Sequence, residues 1–243
     1  MIYFASDMHL GLPDFERNIP REKKIISWLD NIKKDATEIY FLGDIFEFWY
    51  EWKYVIPKHF SRFFGKLSEL SDMGIKLHYF TGNHDIWAFG YFEKEFGMKI
   101  YREPLEIEIN TKKFYLAHGD GLGPGDKWYK FMKKGFNNKI LQWIFSNLVH
   151  PNLAFRLALK ISQDRDACNK TPIFKGEKEW LIQHALEISK SQKFNYFIFG
   201  HRHIAKDYKL NNESKVVILG DWIKNFTYAI FDGENLLLKK HET

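Results

Sequence analysis

The stretch Ile39-Tyr40-Phe41-Leu42-Gly43-Asp44 is an apolar run that stops abruptly at a glycine and a carboxylate. A short unbroken apolar run fits a strand buried on both faces, which would deliver Asp44 to a sheet edge. The same pattern recurs: Met1 to Ser6 ends in Asp7-Met8-His9, and Ile75 to Phe80 ends in Thr81-Gly82-Asn83-His84-Asp85. Three strands that each stop at metal-type donors predict one shared site, with Asp44 at its centre.

Between these blocks the chain reads as α/β. Pro13 and Pro20 fall in a predicted loop, and residues 21–34 carry Ile25, Ile26, Leu29 and Ile32 at helical spacing. Residues 58–73 predict a second helix, with Phe60, Phe63, Phe64, Leu67 and Leu70 on one face and Gly74 as its stop. Strand, helix, strand is the grammar of a βαβ protein. Residues 105–109 and 114–117 read as a hairpin turning at Asn110-Thr111, whose second strand ends in His118-Gly119-Asp120. The pattern then changes. Helices are predicted over 127–136, 139–149, 152–162 and 175–190 before strands resume at 194–199, ending in Gly200-His201-Arg202-His203. Further strands are expected at 215–219, 227–232 and 236–240. The reading is one domain over 1–243 with a helical insertion at about 123–190.

The chain holds a single cysteine, Cys168, so no intramolecular disulfide can form, which favours a reducing compartment. The N-terminus shows no signal-peptide order, and no apolar run is long enough to span a membrane. The expectation is a soluble or membrane-surface protein.

Five of the ten histidines, namely His9, His84, His118, His201 and His203, follow an apolar run within a strand-end block. With Asp7, Asp44, Asn83, Asp85 and Asp120 they make a donor set of carboxylate, imidazole and amide oxygen. That set suits Mn²⁺, Fe, Zn²⁺ or Ni²⁺ and is poorly matched to copper(I). Donors at the carboxyl ends of strands also lie where open α/β sheets place their sites.

These blocks resemble the calcineurin-like metallophosphoesterase superfamily: Asp7-x-His9, Gly43-Asp44-x-x-Glu47, Gly82-Asn83-His84-Asp85, His118-Gly119-Asp120 and Gly200-His201-x-His203. The resemblance implies a two-sheet β-sandwich flanked by helices and a centre of two divalent metal ions. By matching position, Asp7, His9, Asp44 and His203 would hold one metal, and Asp44, Asn83, His118 and His201 the other. Asp44 would be the bridge. Two such cations activate a nucleophile and clamp the oxygens of an in-line phosphoryl displacement. His84 is expected to donate to a phosphoryl oxygen or the leaving group. Asp85 is expected to orient it by accepting its other N–H, with support from Glu47 or Asp120. A turn or helix cap is an equal reading for each of those three carboxylates.

The net charge of +5 favours an anionic partner, and its distribution narrows which one. Residues 127–163 contain seven Lys/Arg and no Asp or Glu, interleaved with Trp143, Phe145, Leu148, Phe155 and many other large apolar residues. Basic, aromatic-rich amphipathic helices fit an anionic membrane surface better than a nucleic acid, so no nucleic-acid partner is expected; packing on the sandwich with a solvated basic face is the plainer alternative. A second aromatic cluster, from Phe46 to Tyr54, follows Asp44 directly. Together with Gly43-Asp44-x-Phe-Glu-Phe-Trp49, these features are similar to the UDP-2,3-diacylglucosamine diphosphatase family of lipid A synthesis. That resemblance implies cleavage of the pyrophosphate of a UDP-linked diacyl sugar lipid, with Mn²⁺ the expected ion, by a peripheral enzyme at the cytoplasmic face of an inner membrane. The insertion would be the lid over the acyl chains, and Asn83, His84, Asp126, Arg165, Asn169, Lys170, Lys175 and His201 would contact substrate. Familiar enterobacterial members resemble Gly-Asn-Arg-Asp at the third block, where this chain has His84. That departure keeps open another nucleotide, a cyclic nucleotide or a phosphoprotein as substrate. A non-catalytic scaffold on the same fold is the reading from outside the enzymes.

Overall fold

The computed structural model describes residues 1–124, 127–168 and 172–242. The first half is a chain of βαβ units: β1 (Ile2–Ala5), α1 (Phe15–Ile32), β2 (Glu38–Leu42), α2 (Ser61–Asp72), β3 (Lys76–Phe80), α3 (Tyr91–Phe96) and β4 (Lys99–Tyr101). A hairpin follows, β5 (Leu105–Ile109) and β6 (Lys112–Ala117), then α4 (Lys127–Phe136), α5 (Lys139–Leu148), α6 (Pro151–Cys168) and α7 (Trp180–Ser189). The chain closes with β7 (Tyr196–Phe199), β8 (Ala205–Lys209), β9 (Lys215–Leu219), β10 (Thr227–Phe231) and β11 (Leu236–Lys240).

Two sheets form a sandwich: β11-β10-β1-β2-β3-β4 and β5-β6-β7-β9-β8. β1 to β4 pair in parallel, as do β6, β7 and β9. Alternate residues of each strand feed different cores, which explains the unbroken apolar runs. Phe4, Tyr40, Leu42, Phe80, Leu116, Ile198, Val217 and Leu219 pack between the sheets. Their neighbours Tyr3, Ile39, Phe41 and Tyr79 face outward under α1, α2 and α3. Tyr115, Phe197, Phe199 and Ile218 face outward under α7, which buries Leu181, Ile182 and Ala185 there. Fully buried Trp28, Trp49 and Trp222 each contribute roughly 2–3 kcal/mol or more of transfer free energy to the first layer.

Some boundaries differ from the sequence expectation for identifiable reasons. α1 starts at Phe15, six residues earlier, because the Asp14 side chain accepts the Arg17 N–H as an N-cap; Pro20 is carried inside the helix. The turn between β5 and β6 is the two-residue Asn110-Thr111, both at positive φ (47° and 66°) as a hairpin twist requires. β4 is only three residues long and β8, Ala205–Lys209, holds no fully buried residue, so neither carries an apolar run. α5 and α6 leave Ile140, Trp143, Leu148, Leu153 and Leu157 exposed, while Phe145 and Phe155 pack on Tyr50, Trp52 and Phe48. Among the described residues no helix is long and apolar enough to cross a membrane.

Candidate metal centre

The loops after β1, β2, β3, β6 and β7 converge, and their backbones are bent to do so. Asp7, His9, Asp44, His201 and His203 all adopt left-handed φ, between 46° and 66°. Such conformations cost about 1–3 kcal/mol each at non-glycine residues and persist only where surrounding structure enforces them. Gly43 and Gly82 make the approach possible. A Cβ at Gly43 would sit 2.4 Å from His118 Nδ1, and one at Gly82 would sit 2.1 Å from Asp44 Oδ1.

Among the described residues three donor groups result: Asp7/His9/His203, Asp44/His118/His201 and His9/Glu47/His84. Asp44 lies between the first two, with its Oδ2 3.2 Å from His118 Nε2 and 3.8 Å from His9 Nε2. Asn83 joins the second through its Oδ1, 3.4 Å from His118 Nε2. His9 and His203 point their Nε2 atoms at one another across 3.2 Å, with Asp7 Oδ1 3.4 Å from His203. All seven donors named from sequence are therefore in one cluster, and Asp7, His9, Asp44 and His118 are buried.

The outward nitrogens of His9, His118 and His203 already face partners. His118 Nδ1 donates to the Leu42 carbonyl at 2.7 Å, His9 Nδ1 lies 2.6 Å from Glu47 Oε2, and His203 Nδ1 lies 3.6 Å from Asp221 Oδ2. Each ring thus turns Nε2 into the cluster, the arrangement that orients imidazole toward a metal. Burial, reinforced by the charge on His118, drives His201 down to about 3, so its ring is neutral as a ligand must be. Burial opposes ionisation of Asp44, but the His118 and His84 charges outweigh it and hold the carboxyl well below the usual range. Buried carboxylates, inward Nε2 atoms and an amide oxygen fit a pair of divalent cations.

The structure corrects the role expected of Asp85. Its fully buried carboxylate accepts backbone N–H groups from Gly82 (2.7 Å), Ile45 (2.7 Å), Asp44 (3.3 Å) and Phe46 (3.4 Å), clasping the Asp44 and Asn83 loops together. Burial and the neighbouring Asp44 charge push it up to about 6. It is Glu47 that meets the His84 ring: Nδ1 lies 2.9 Å from the Glu47 carbonyl and 3.2 Å from Oε1. Burial alone would depress His84, but Asp44 and Glu47 carry it up to about 10. Asp120, also buried, is paired with Lys133 of α4 at 2.8 Å. Of the expected substrate contacts, Lys175 is exposed ahead of a short 3₁₀ turn at Gly176–Lys178. Asp126, Asn169, Lys170 and the Arg165 side chain lie outside the described residues.

Two groups escaped the sequence reading. Asp221 follows β9 in the same apolar-run, glycine, aspartate pattern as Asp44, so its signal was present. Glu179, buried ahead of α7, binds Arg202 through Nε at 2.7 Å and Nη2 at 3.3 Å, and Arg202 lies over the Trp180 ring. That fork holds the His201-Arg202-His203 turn, and no motif announced it.

The comparisons agree with this geometry. Residues 1–205 match the calcineurin-like phosphoesterase family. The chain belongs to that family. As one of the calcineurin-like phosphoesterases it is a metal-dependent hydrolase. It is 39% identical over 256 residues to a UDP-2,3-diacylglucosamine hydrolase of Porphyromonas gingivalis, covering 99% of this chain and 97% of that protein. A protein of the same description from Haemophilus influenzae is 28% identical over 233 residues, 92% and 91% of the two chains. A dimetal phosphatase from Danio rerio shares the fold at a TM-score of 0.50 and 11% identity, with 98% and 94% covered.

Proposed function

We propose that this phosphoesterase cleaves the pyrophosphate of UDP-2,3-diacylglucosamine, releasing UMP and 2,3-diacylglucosamine 1-phosphate, a step of lipid A synthesis. The observation that carries the reading is a hydrolytic donor cluster joined, within one fold, to helices that expose apolar side chains. Trp143 is 65% exposed and Leu148 77% exposed, on helices whose charged residues up to Gln163 are all basic. Full-length likeness to curated hydrolases of that substrate supports it.

Asp7, His9, Asp44 and His203 would hold one cation, and Asp44, Asn83, His118 and His201 the other, with Mn²⁺ the ion proposed. When bound, the two cations supply an activated nucleophile and neutralise charge on the phosphoryl oxygens. The residues themselves do the rest. Glu47 secures Nδ1 of His84, which leaves Nε2 as the end that donates to the phosphoryl or leaving oxygen. Asp85 keeps the Asp44 and Asn83 loops in register. Segment 123–190 acts as the lid, with the aromatic wall of Phe48, Trp52, Trp87, Phe145 and Phe155 beside the acyl chains. Within the lid, Asp126, Arg165, Asn169, Lys170 and Lys175 contact substrate. The exposed apolar side chains and flanking lysines rest on the anionic cytoplasmic face of the inner membrane.

Purified protein loaded with Mn²⁺ and given UDP-2,3-diacylglucosamine in mixed micelles is expected to release UMP stoichiometrically with the lipid phosphate. Cleavage of simple aryl phosphodiesters without release of UMP from the lipid would overturn the assignment.

A further inference from the structure

Beside the donor cluster a groove of about 490 Å³ opens, beginning at His118 and running between the β4–β5 connection and α4. Its wall carries Arg102, Lys130, Lys133 and Lys134, with Asn137 at the end of α4. Among the described residues the lining also holds two acids, Glu103 and Asp120, and Asp120 is already paired with Lys133. A cationic excess therefore faces the space next to the cluster.

The lysines are arranged against their own electrostatics. Lys130 and Lys134 stand four residues apart, so they share one helical face and repel one another, while Lys133 beside them is paired with Asp120. Lys130 is drawn to the Gly123 carbonyl at 2.8 Å, and Arg102 is held by the carbonyls of Ala88 (2.8 Å) and Phe89 (3.2 Å). Both tethers fix positive groups along the groove in advance of any ligand, which lowers the cost of ordering them on binding. An anion seated there relieves the repulsion. The volume lies in the range of small-molecule pockets, about 300–1,000 Å³.

We propose that this groove receives the nucleotide half of the substrate and retains UMP after cleavage, its basic wall facing the phosphate and Asn137 facing the base. The assignment rests on the hydrolase reading above. It divides the substrate in two: the aromatic cluster of Phe48, Trp87, Phe145 and Phe155 shares no residue with the groove and is apolar, so it suits the acyl half. An amide at the end of a charged groove offers both a donor and an acceptor to a pyrimidine edge.

Calorimetric titration of UMP into the metal-loaded protein tests this directly. Lys134→Glu and Arg102→Glu are each expected to weaken UMP binding at least about tenfold, with binding of 2,3-diacylglucosamine 1-phosphate changed by less than about twofold. Lys134 is exposed, so its reversal leaves the fold intact, as thermal unfolding will show. Inorganic phosphate and uridine, titrated separately, assign the basic wall and the Asn137 end; Asn137→Ala is expected to weaken UMP and leave inorganic phosphate unchanged. Unchanged UMP affinity in both reversals, or loss confined to the lipid product, overturns the proposal. Charge-dependent UMP binding by a protein that releases no UMP from the lipid upholds the groove and overturns the substrate reading. Release of UMP with charge-independent UMP affinity does the reverse.

Discussion

Replacing Asp85 separates a structural clasp from a catalytic partner. In Asp85→Ala the two short bonds from Gly82 and Ile45, each 2.7 Å, disappear and leave two buried donors unmet. Stranding a buried N–H costs about 1–3 kcal/mol, so the gross loss is about 2–6 kcal/mol; the bonds from Asp44 and Phe46 are long enough to add little. Against this stands relief of the carboxylate's own penalty. Its shift from 3.8 to about 6 corresponds to roughly 3 kcal/mol against the ionised form at neutral pH. The difference leaves at most about 3 kcal/mol of net destabilisation and about 1 kcal/mol at the middle of the range, the latter a fall of roughly 2–4 °C in Tm for a chain of this size. Thermal unfolding with metal content by elemental analysis is the assay, repeated for Asp85→Asn, which keeps one acceptor oxygen and should recover part of the loss. Because Glu47 stays against His84, turnover should fall only as metal occupancy falls and return with excess cation. Unchanged Tm and metal content with collapsed turnover would refute the clasp and return Asp85 to His84.

A Gly82→Ala change should lose bound metal outright, since the new Cβ would lie 2.1 Å from Asp44 Oδ1; full occupancy by elemental analysis would contradict the packing described. His78 sits between the sheets, stacked on Tyr40 at 4.0 Å and 3.0 Å from Glu38, and burial lowers its pKa despite that carboxylate. The folded protein therefore binds this proton less readily than the unfolded chain. Its contribution to stability is whole above pH about 6.5 and is lost as pH falls through the folded value. Urea midpoints at pH 7.5 and 5.5 should draw closer together in His78→Gln, and an unaltered gap would remove His78 as the cause. Trp143→Ser with Leu148→Ser should reduce co-flotation with anionic vesicles several-fold with little change in the melting temperature, as expected for side chains that are mostly exposed; equal flotation would dismiss α5 as a membrane contact.

The five donor blocks were legible because each follows a strand buried on both faces. Burial on two faces erases the polar alternation that usually blurs strand ends, so the first charged residue marks the edge. Asp221 obeys that same logic after Val216 to Leu219 and could have been found with it. The partnerships among the blocks were less visible. Asp85 is adjacent to His84 in sequence, yet it turns to the backbone of Asp44 and Ile45, while Glu47 reaches His84 from 37 residues away. Chain proximity does not say which side of a tight turn a side chain takes. The Glu179–Arg202 pair is invisible for the same reason, since it depends on how α7 docks on the second sheet. Pro20 was read as a loop residue from its intrinsic preference, and the Asp14 cap with the buried faces of Ile25, Trp28 and Leu29 overrides it.

The five left-handed donor residues bear on how this protein can be engineered. A designer seeking heat resistance would meet the largest unclaimed gains where activity forbids them. Glycine at His203 or Asp7 would relax the backbone and silence the enzyme together, so fitness for catalysis and robustness of the fold are opposed at the same few positions. Gains compatible with turnover have to be sought away from the strand ends.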